Sequence, residues 1–283
     1  MYQRVIKNLD LRQIMLSGQC FRMAETEIPG VFSIVAGDHY VEIGMDGEEF
    51  VFSCEEDEFE AFWGNYLDLS TDYEAVIRSV DKKDQYLTGA VSFGSGVRIL
   101  RQDLWEMLIT FLISQNNNIK RITGSVSALC EKYGSEREGK ALVATSDGGF
   151  AEKVVTFKTF PTPEAIAQGG MDGLKDLGLG YRDKYVSRMA ERCCGETGKD
   201  WLDGIRHADY GEAHKALCDE FGIGKKVADC ISLFGLHHID AFPVDTHIRQ
   251  ILDLHYPDGF PFERYQGYAG IIQQYLFYYK RNY

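Results

Sequence analysis

The chain is short of several things, and each shortage narrows its function. Its 283 residues include only six prolines and three tryptophans, with no proline-rich or low-complexity linker tract. No apolar run approaches the roughly 20 residues that a bilayer span needs, so no membrane role is expected. The seven cysteines form no disulfide framework and no CxxC metal spacing, Cys193 and Cys194 being the one adjacent pair. The first residues, MYQRVIKNLDLRQ, lack the basic-then-apolar order of a secretion signal. Free thiols without an export signal imply a reducing intracellular setting, cytoplasm or nucleoid in a bacterium. Positive charge is scarce as well. Against 43 Asp and Glu stand 30 Lys and Arg, a net charge of −13 that argues at first against an anionic partner.

The acidity is unevenly spread. Residues 1–90 hold 18 acidic and 7 basic residues, whereas the remaining 193 hold 25 and 23. The N-terminal third therefore carries −11 and the rest only −2. Runs such as EEDEFE, Glu55 to Glu60, read as a solvated face. The longer part is electrostatically free to host a local basic site.

What is present is a change of period along the chain. Val31–Ala36, Tyr40–Met45 and Glu48–Cys54 alternate or run apolar at strand length, with Gly37-Asp38 and Asp46-Gly47 as hairpin turns between them. Beyond GVRILRQD the pattern is helical almost to the end. Leu104–Ser114 is apolar nearly all round and predicts a buried helix, stopped at QNNNIKR. The fold class is α+β: an N-terminal antiparallel β-sheet domain over residues 1–95, then an all-α domain over 96–283.

Within the second part, EAHKALCDEF, GIG and KKVADCISLFGL read as helix, two-glycine hairpin, helix, at about 212–236. Such a hairpin lets a backbone approach closely at Gly222 and Gly224, and the free N–H groups of the second helix bind an anion. An acidic protein could grip DNA this way; an ordinary helical hairpin is the plain alternative. Two lysines stand in the first turn, where an ammonium costs about 0.3–1 kcal/mol. Lys225 stacks over Asp229 and can be paired and solvated. Lys226 shares a stripe with Cys230 and Leu233 beside apolar residues, so desolvation and the helix dipole should lower its pKa. A neutral amine in an apolar pocket is a nucleophile towards carbon, whereas a charged one would snorkel to water or to phosphate. Nineteen residues on, Asp245 precedes a helix as an N-cap candidate, a fixed carboxylate suited to stabilise positive charge nearby. His247 is a phosphate contact or a surface histidine.

Hairpin, lysine, PVD and their spacing resemble the helix-hairpin-helix (HhH-GPD) DNA glycosylase superfamily, and within it the 8-oxoguanine DNA glycosylases with AP lyase activity. SGQCFR, GVRILRQD, SQNNNIKRITG, LGLGYRDKYV, EAHKALC…GIGKKVADC, FPVDTH and YAGIIQQYLF all fall in family order and cover most of the chain. The resemblance implies a TBP-like β-rich domain ahead of the catalytic one, and damaged double-stranded DNA as partner. It implies that the lesion nucleotide is extruded from the duplex. Lys226 would attack C1′ and form a Schiff base, with Asp245 stabilising the cationic sugar. The base pocket would lie between Cys230 and Phe277, with Gln273 on the Watson–Crick edge and the Gly18 carbonyl accepting the N7 hydrogen that guanine lacks. Phe234 lines that pocket or is plain core.

On the opposite strand, Asn116 would fill the gap, Tyr181 would wedge beside it, and Arg121 and Arg182 would donate to the unpaired cytosine. Gly222, Gly224, Lys225 and His247 would contact the DNA backbone. The family's hairpin commonly holds a monovalent or calcium ion on main-chain carbonyls, here those of Cys218, Glu220 and Ile223; no cofactor is otherwise required. Phe221 departs from the family's usual proline and should loosen the turn, and Met23 replaces a frequent tryptophan. Like its family the chain is expected to act as a monomer. A glycosylase for another lesion keeps the fold and changes the pocket. A non-catalytic hairpin module would need the glycines but neither Lys226 nor Asp245.

Overall fold

The computed structural model describes residues 1–146 and 148–283. Five strands form an antiparallel sheet: β1 (Tyr2–Arg4), β2 (Met23–Glu25), β3 (Phe32–Ala36), β4 (His39–Asp46) and β5 (Glu49–Phe52), in the order β1-β5-β4-β3-β2. Gly37 (φ +57°) and Gly47 (φ +61°) make the two hairpin turns that the sequence predicts. Register pairs Ile34 with Val41 and Ile43 with Phe52, placing buried side chains on one face. That face packs with Ile14, Phe59, Trp63 and Leu67. Met23, buried in β2, is part of the same packing.

One element departs from the helical pattern. Strands β6 (Glu136–Ala144) and β7 (Phe150–Lys158) form a long antiparallel hairpin inside the otherwise helical half. It folds back over the outer face of the sheet. Leu142 N–H donates to Glu42 at 2.7 Å, Ser53 Oγ donates to the Lys140 carbonyl, and the Tyr40 and Phe157 rings stack at 5.5 Å. This second contact explains why β4 buries four successive residues from Val41 to Gly44. The sequence signal was present in the β-branched runs KALVA and KVVTF, and the helical reading passed over it. The acidic run at 55–60 is likewise only partly solvated. Glu55 pairs with Lys140, Glu58 bonds His39 and Trp63, and Glu60 pairs with Arg4.

The helices pack around Leu104–Ser114, of which residues 104–113 are all buried. Helices Tyr73–Ser79 and Gln85–Gly94 contribute Tyr73, Leu87 and Ala90 to this core, whereas the sheet's cluster runs to Leu67 and then takes Leu100. Packing thus changes partner near residue 70. The GVRILRQD segment ties the two cores together. Arg98 donates to the carbonyls of Lys7, Asn8 and Asp68 at 2.7–2.9 Å. Gln19 donates to the Arg98 carbonyl and accepts from Leu100 N–H, while Gln102 donates to the Gln19 carbonyl, at 2.8–2.9 Å. This buried clasp holds the loop containing Gly18 against the helical half.

Candidate active site

The hairpin forms as the glycines suggest. Helix Tyr210–Cys218 ends, Gly222 turns at φ +91°, and helix Lys225–Gly235 starts with Gly224 as N-cap. Gly222 is required twice over: its φ is left-handed, and a Cβ there would lie 2.6 Å from the Tyr185 ring. Gly224 is different. Its φ is −96° and nothing lies within 4 Å of where its Cβ would be, so it faces open space. No side chain caps this helix, which leaves its first N–H groups for an external acceptor. The expected loosening by Phe221 is not seen. Its ring packs edge-on against Tyr185 at 5.3 Å and lies under the Arg188 guanidinium at 4.3 Å, which braces the turn from the neighbouring helix.

The two lysines separate as their stripes predict, with one correction. Lys225 is exposed, but Asp229 belongs to Tyr210 (2.6 Å) and His214 (3.2 Å), so Lys225 is left without that partner. Lys226 is largely sheltered, with its ammonium 5.9 Å from the Phe111 ring centroid. Its pKa moves in the direction opposite to the sequence expectation. Negative charge on Cys230 raises it most; burial lowers it, as the sequence reading assumed, but Asp245 adds a further upward push. Burial in turn pushes the Cys230 thiol up, against the pull of the Lys226 ammonium. With its pKa raised, Lys226 must be deprotonated before it can attack.

Asp245 is an N-cap: its Oδ1 accepts from Ile248 N–H at 2.9 Å at the start of helix Thr246–His255. Lys225, Lys226, Asp245, His247, Asn116 and Gly224 line one open cleft of about 680 Å³. Gln273 is buried and donates to the Pro243 carbonyl at 2.9 Å, tying the C-terminal helix Ala269–Asn282 to the PVD segment. Phe277 on that helix meets the His247 ring edge-on at 6.0 Å. Gly18 reaches the same place. At φ +76°, its missing Cβ would touch Phe277 Cε1, Ile119 Cδ1 and Arg281 Nη1, each at 3.4 Å. Phe234 lies one layer behind, fully buried and stacked on Phe111 at 5.4 Å, so it is core.

The asparagine loop divides its labour. Asn117 donates to the Ile113 carbonyl at 3.1 Å and ends one helix; Asn118 accepts from Arg121 N–H at 3.0 Å and starts the next. Asn116 is exposed, in the left-handed region (φ +46°), and donates to the Tyr181 hydroxyl at 3.2 Å. Arg121 is exposed. Arg182, by contrast, is buried and its guanidinium holds the carbonyls of Gln115, Asn116 and Leu179. In this structure it shapes the loop and has no free donor face, which corrects the picture of two open arginines. Gln115 donates to the Gly222 carbonyl at 3.0 Å, joining loop to hairpin. The sequence reading missed Gln115, Tyr185 and Arg281. The last two were accessible as the residues one helical turn beyond Tyr181 and Phe277.

Among the described residues no group of three or more His, Cys, Asp and Glu could hold a metal ion. Among the described residues no helix is long and apolar enough to cross a membrane.

Residues 2–108 match the family model of the 8-oxoguanine DNA glycosylase N-terminal domain, and residues 109–258 match that of the HhH-GPD superfamily base excision DNA repair proteins. The chain belongs to the HhH-GPD superfamily. Its sheet-then-helices architecture is that of solved relatives. The 8-oxoguanine glycosylase/lyase of Clostridium acetobutylicum, solved with double-stranded DNA containing cytosine opposite 8-oxoguanine, is 32% identical with a TM-score of 0.83. That match covers 97% of this chain and 92% of the other. The Saccharomyces cerevisiae N-glycosylase/DNA lyase is 36% identical over 165 residues, 55% of this chain. The Arabidopsis thaliana N-glycosylase/DNA lyase OGG1 is 31% identical over 243 residues, 83% of this chain. The matched segments span 41% and 63% of those two relatives' own lengths.

Proposed function

We propose that this HhH-GPD protein excises 8-oxoguanine from duplex DNA and then nicks the strand through a Schiff base on Lys226. One observation carries the reading: a sheltered amine and a capping carboxylate, Lys226 and Asp245, open on one cleft beside an uncapped helix N-terminus. A non-catalytic hairpin module has no use for that pair.

The chemistry follows from the geometry. A phosphate of the damaged strand is held by the first N–H groups after Gly224, with Lys225 and His247 beside it. The extruded base enters between Cys230 and Phe277, its Watson–Crick edge towards Gln273. The Gly18 carbonyl accepts the N7 hydrogen of 8-oxoguanine and faces the N7 lone pair of guanine, acceptor against acceptor. Lys226, having released one proton, attacks C1′ as the glycosidic bond breaks, and the base departs with the bonding electrons. The carboxylate of Asp245 stabilises the positive charge that develops on the sugar. Ring opening gives an iminium between Nζ and C1′. Loss of a C2′ proton then expels the 3′ phosphate.

Asn116 and Tyr181 fill the gap in the stack, and Arg121 donates to the opposite cytosine, with Arg182 joining it if the loop carbonyls release its guanidinium. Preference for cytosine is therefore part of the proposal. Carbonyls of Cys218, Glu220 and Ile223 would hold a monovalent or calcium ion that stiffens the turn; the Glu220 carbonyl already accepts Ile223 N–H at 3.2 Å and keeps one lone pair for it. The deciding experiment is borohydride trapping on a duplex with one 8-oxoguanine opposite cytosine, wild type against Lys226→Gln. An adduct lost in the variant supports the mechanism. Absence of any adduct with the wild-type protein overturns it.

A further inference from the structure

Arg281 stands in the last turn of the C-terminal helix, one turn beyond Phe277. A cation there suits the helix dipole, and its Cζ lies 5.4 Å from the Phe277 ring centroid. Those facts alone would make it an ordinary end-of-helix arginine. Its placement says more. Among the described residues no ion pair or hydrogen bond engages its guanidinium. Nη1 converges with Phe277 Cε1 on the point where a Gly18 side chain would stand. Partial burial lowers its pKa while the charge of Asp245, a residue of the cleft, opposes that. An uncommitted five-donor group beside a pocket wall calls for an acceptor.

The chemistry of the lesion supplies one. In 8-oxoguanine the N7–H and the C8 carbonyl are neighbours and form a cis-amide edge, one donor next to one acceptor. Guanine shows a lone pair and a C–H at those positions. Gly18 offers a carbonyl, and Arg281 places N–H donors next to Gly18. We propose that Arg281 is a specificity-determining residue that donates a charge-assisted hydrogen bond to the C8 oxygen of the extruded lesion, completing with Gly18 a two-point reading of the oxidised edge. The inference rests on the proposed 8-oxoguanine reading and deepens it. Gly18 alone rejects guanine by repulsion; Arg281 adds attraction for the oxygen itself, so the two act on different atoms. Gly18 must remain glycine because its φ of +76° is one that other residues rarely adopt; an added Cβ would only touch Arg281 and Phe277.

The test is binding in the Lys226→Gln background, where excision cannot proceed, with three duplexes: 8-oxoguanine opposite cytosine, guanine opposite cytosine, and a tetrahydrofuran abasic analogue opposite cytosine. Adding Arg281→Met removes the donors and keeps the length of the side chain. The expected result is a loss of roughly ten-fold or more for the 8-oxoguanine duplex, the size of one hydrogen bond to a charged group, with the other two within two-fold. Retained binding of the abasic duplex also shows that the variant is folded. Equal loss on all three duplexes would place Arg281 on a phosphate and overturn the proposal. So would loss confined to guanine, which would mean donation to N7, or no change at all. If the Lys226→Gln parent itself fails to prefer 8-oxoguanine over guanine, the underlying reading of the pocket falls, and this inference with it.

Discussion

Asn116 Nδ2 donates to the Tyr181 hydroxyl at 3.2 Å, and the neighbouring Arg182 guanidinium holds the carbonyls of Gln115 and Asn116 from below. The two groups proposed to enter the gap in the duplex are thus joined before DNA arrives, on a loop whose shape Arg182 enforces. Arg121 has no such duty. The two arginines should therefore separate experimentally. Arg182→Ala should lower stability by roughly 2–3 kcal/mol in urea unfolding, because it leaves the carbonyls of Gln115, Asn116 and Leu179 without their donor. Arg121→Ala should leave stability within about 0.5 kcal/mol and flatten the preference among the four opposite bases. Equal destabilisation by both would remove the distinction.

The Lys226 environment makes a pH prediction in which the pKa shift runs opposite to the one its sequence suggests. Because Cys230 and Asp245 raise the ammonium's pKa above 10.5, free amine is scarce at neutral pH. Single-turnover excision should climb by about one log unit per pH unit between 6 and 9, without a plateau in that range. Cys230→Ala removes the largest upward influence and leaves burial pulling down. Its profile should shift to lower pH, which the same assay reads. A wild-type rate that levels off below pH 8 would contradict the raised value.

Much of this site was legible because its logic is local. Helical period separates Lys226 from Lys225, cap chemistry points to Asp245, and two glycines mark the hairpin. The buried helix at 104–114 and the two β-turns announce themselves equally well. What failed were quantities set by distant chain. The direction of the Lys226 pKa turns on the charge of Asp245, from the next helix, as well as on Cys230 one turn along its own helix. Asp229 is taken by Tyr210 and His214 from the preceding helix, so helical spacing misassigned it. The β6–β7 hairpin was overlooked because its partner surface is the sheet almost a hundred residues earlier, joined through Leu142 and Glu42. Arg182 looked like a free donor until a loop more than sixty residues away claimed it.

The buried carboxyl of Glu106 gives a stability prediction unconnected with catalysis. Burial raises its pKa to about 7, and Arg22, at 3.6 Å, opposes this only in part. A folded-state value above the ordinary 4.5 means that the native protein binds the extra proton. The group's contribution is therefore fully present below about pH 4.5 and declines as pH rises towards 7. Glu106→Gln carries no proton to lose. Relative to wild type it should gain up to about 3 kcal/mol between pH 4.5 and 7.5, measured by urea unfolding at several pH values. A difference constant with pH would show that Glu106 stays ionised.

The hairpin glycines offer the sharpest separation of folding from binding. Gly222 combines a φ of +91° with a Tyr185 ring 2.6 Å from any added Cβ, whereas Gly224 has an ordinary φ and open space around it. Gly222→Ala should cost about 1–2 kcal/mol for the left-handed backbone, and more for the clash with Tyr185. Gly224→Ala should leave the unfolding curve within about 0.5 kcal/mol of wild type, since nothing in the protein meets the new methyl. Yet that methyl would stand where a phosphate must approach the first N–H groups of the helix. Duplex binding by Gly224→Ala should weaken ten-fold or more at fixed salt, by roughly the worth of one charge-assisted hydrogen bond. If Gly224→Ala binds DNA as wild type does, the phosphate does not dock on this helix end, and Lys225 and His247 would have to hold the backbone without it.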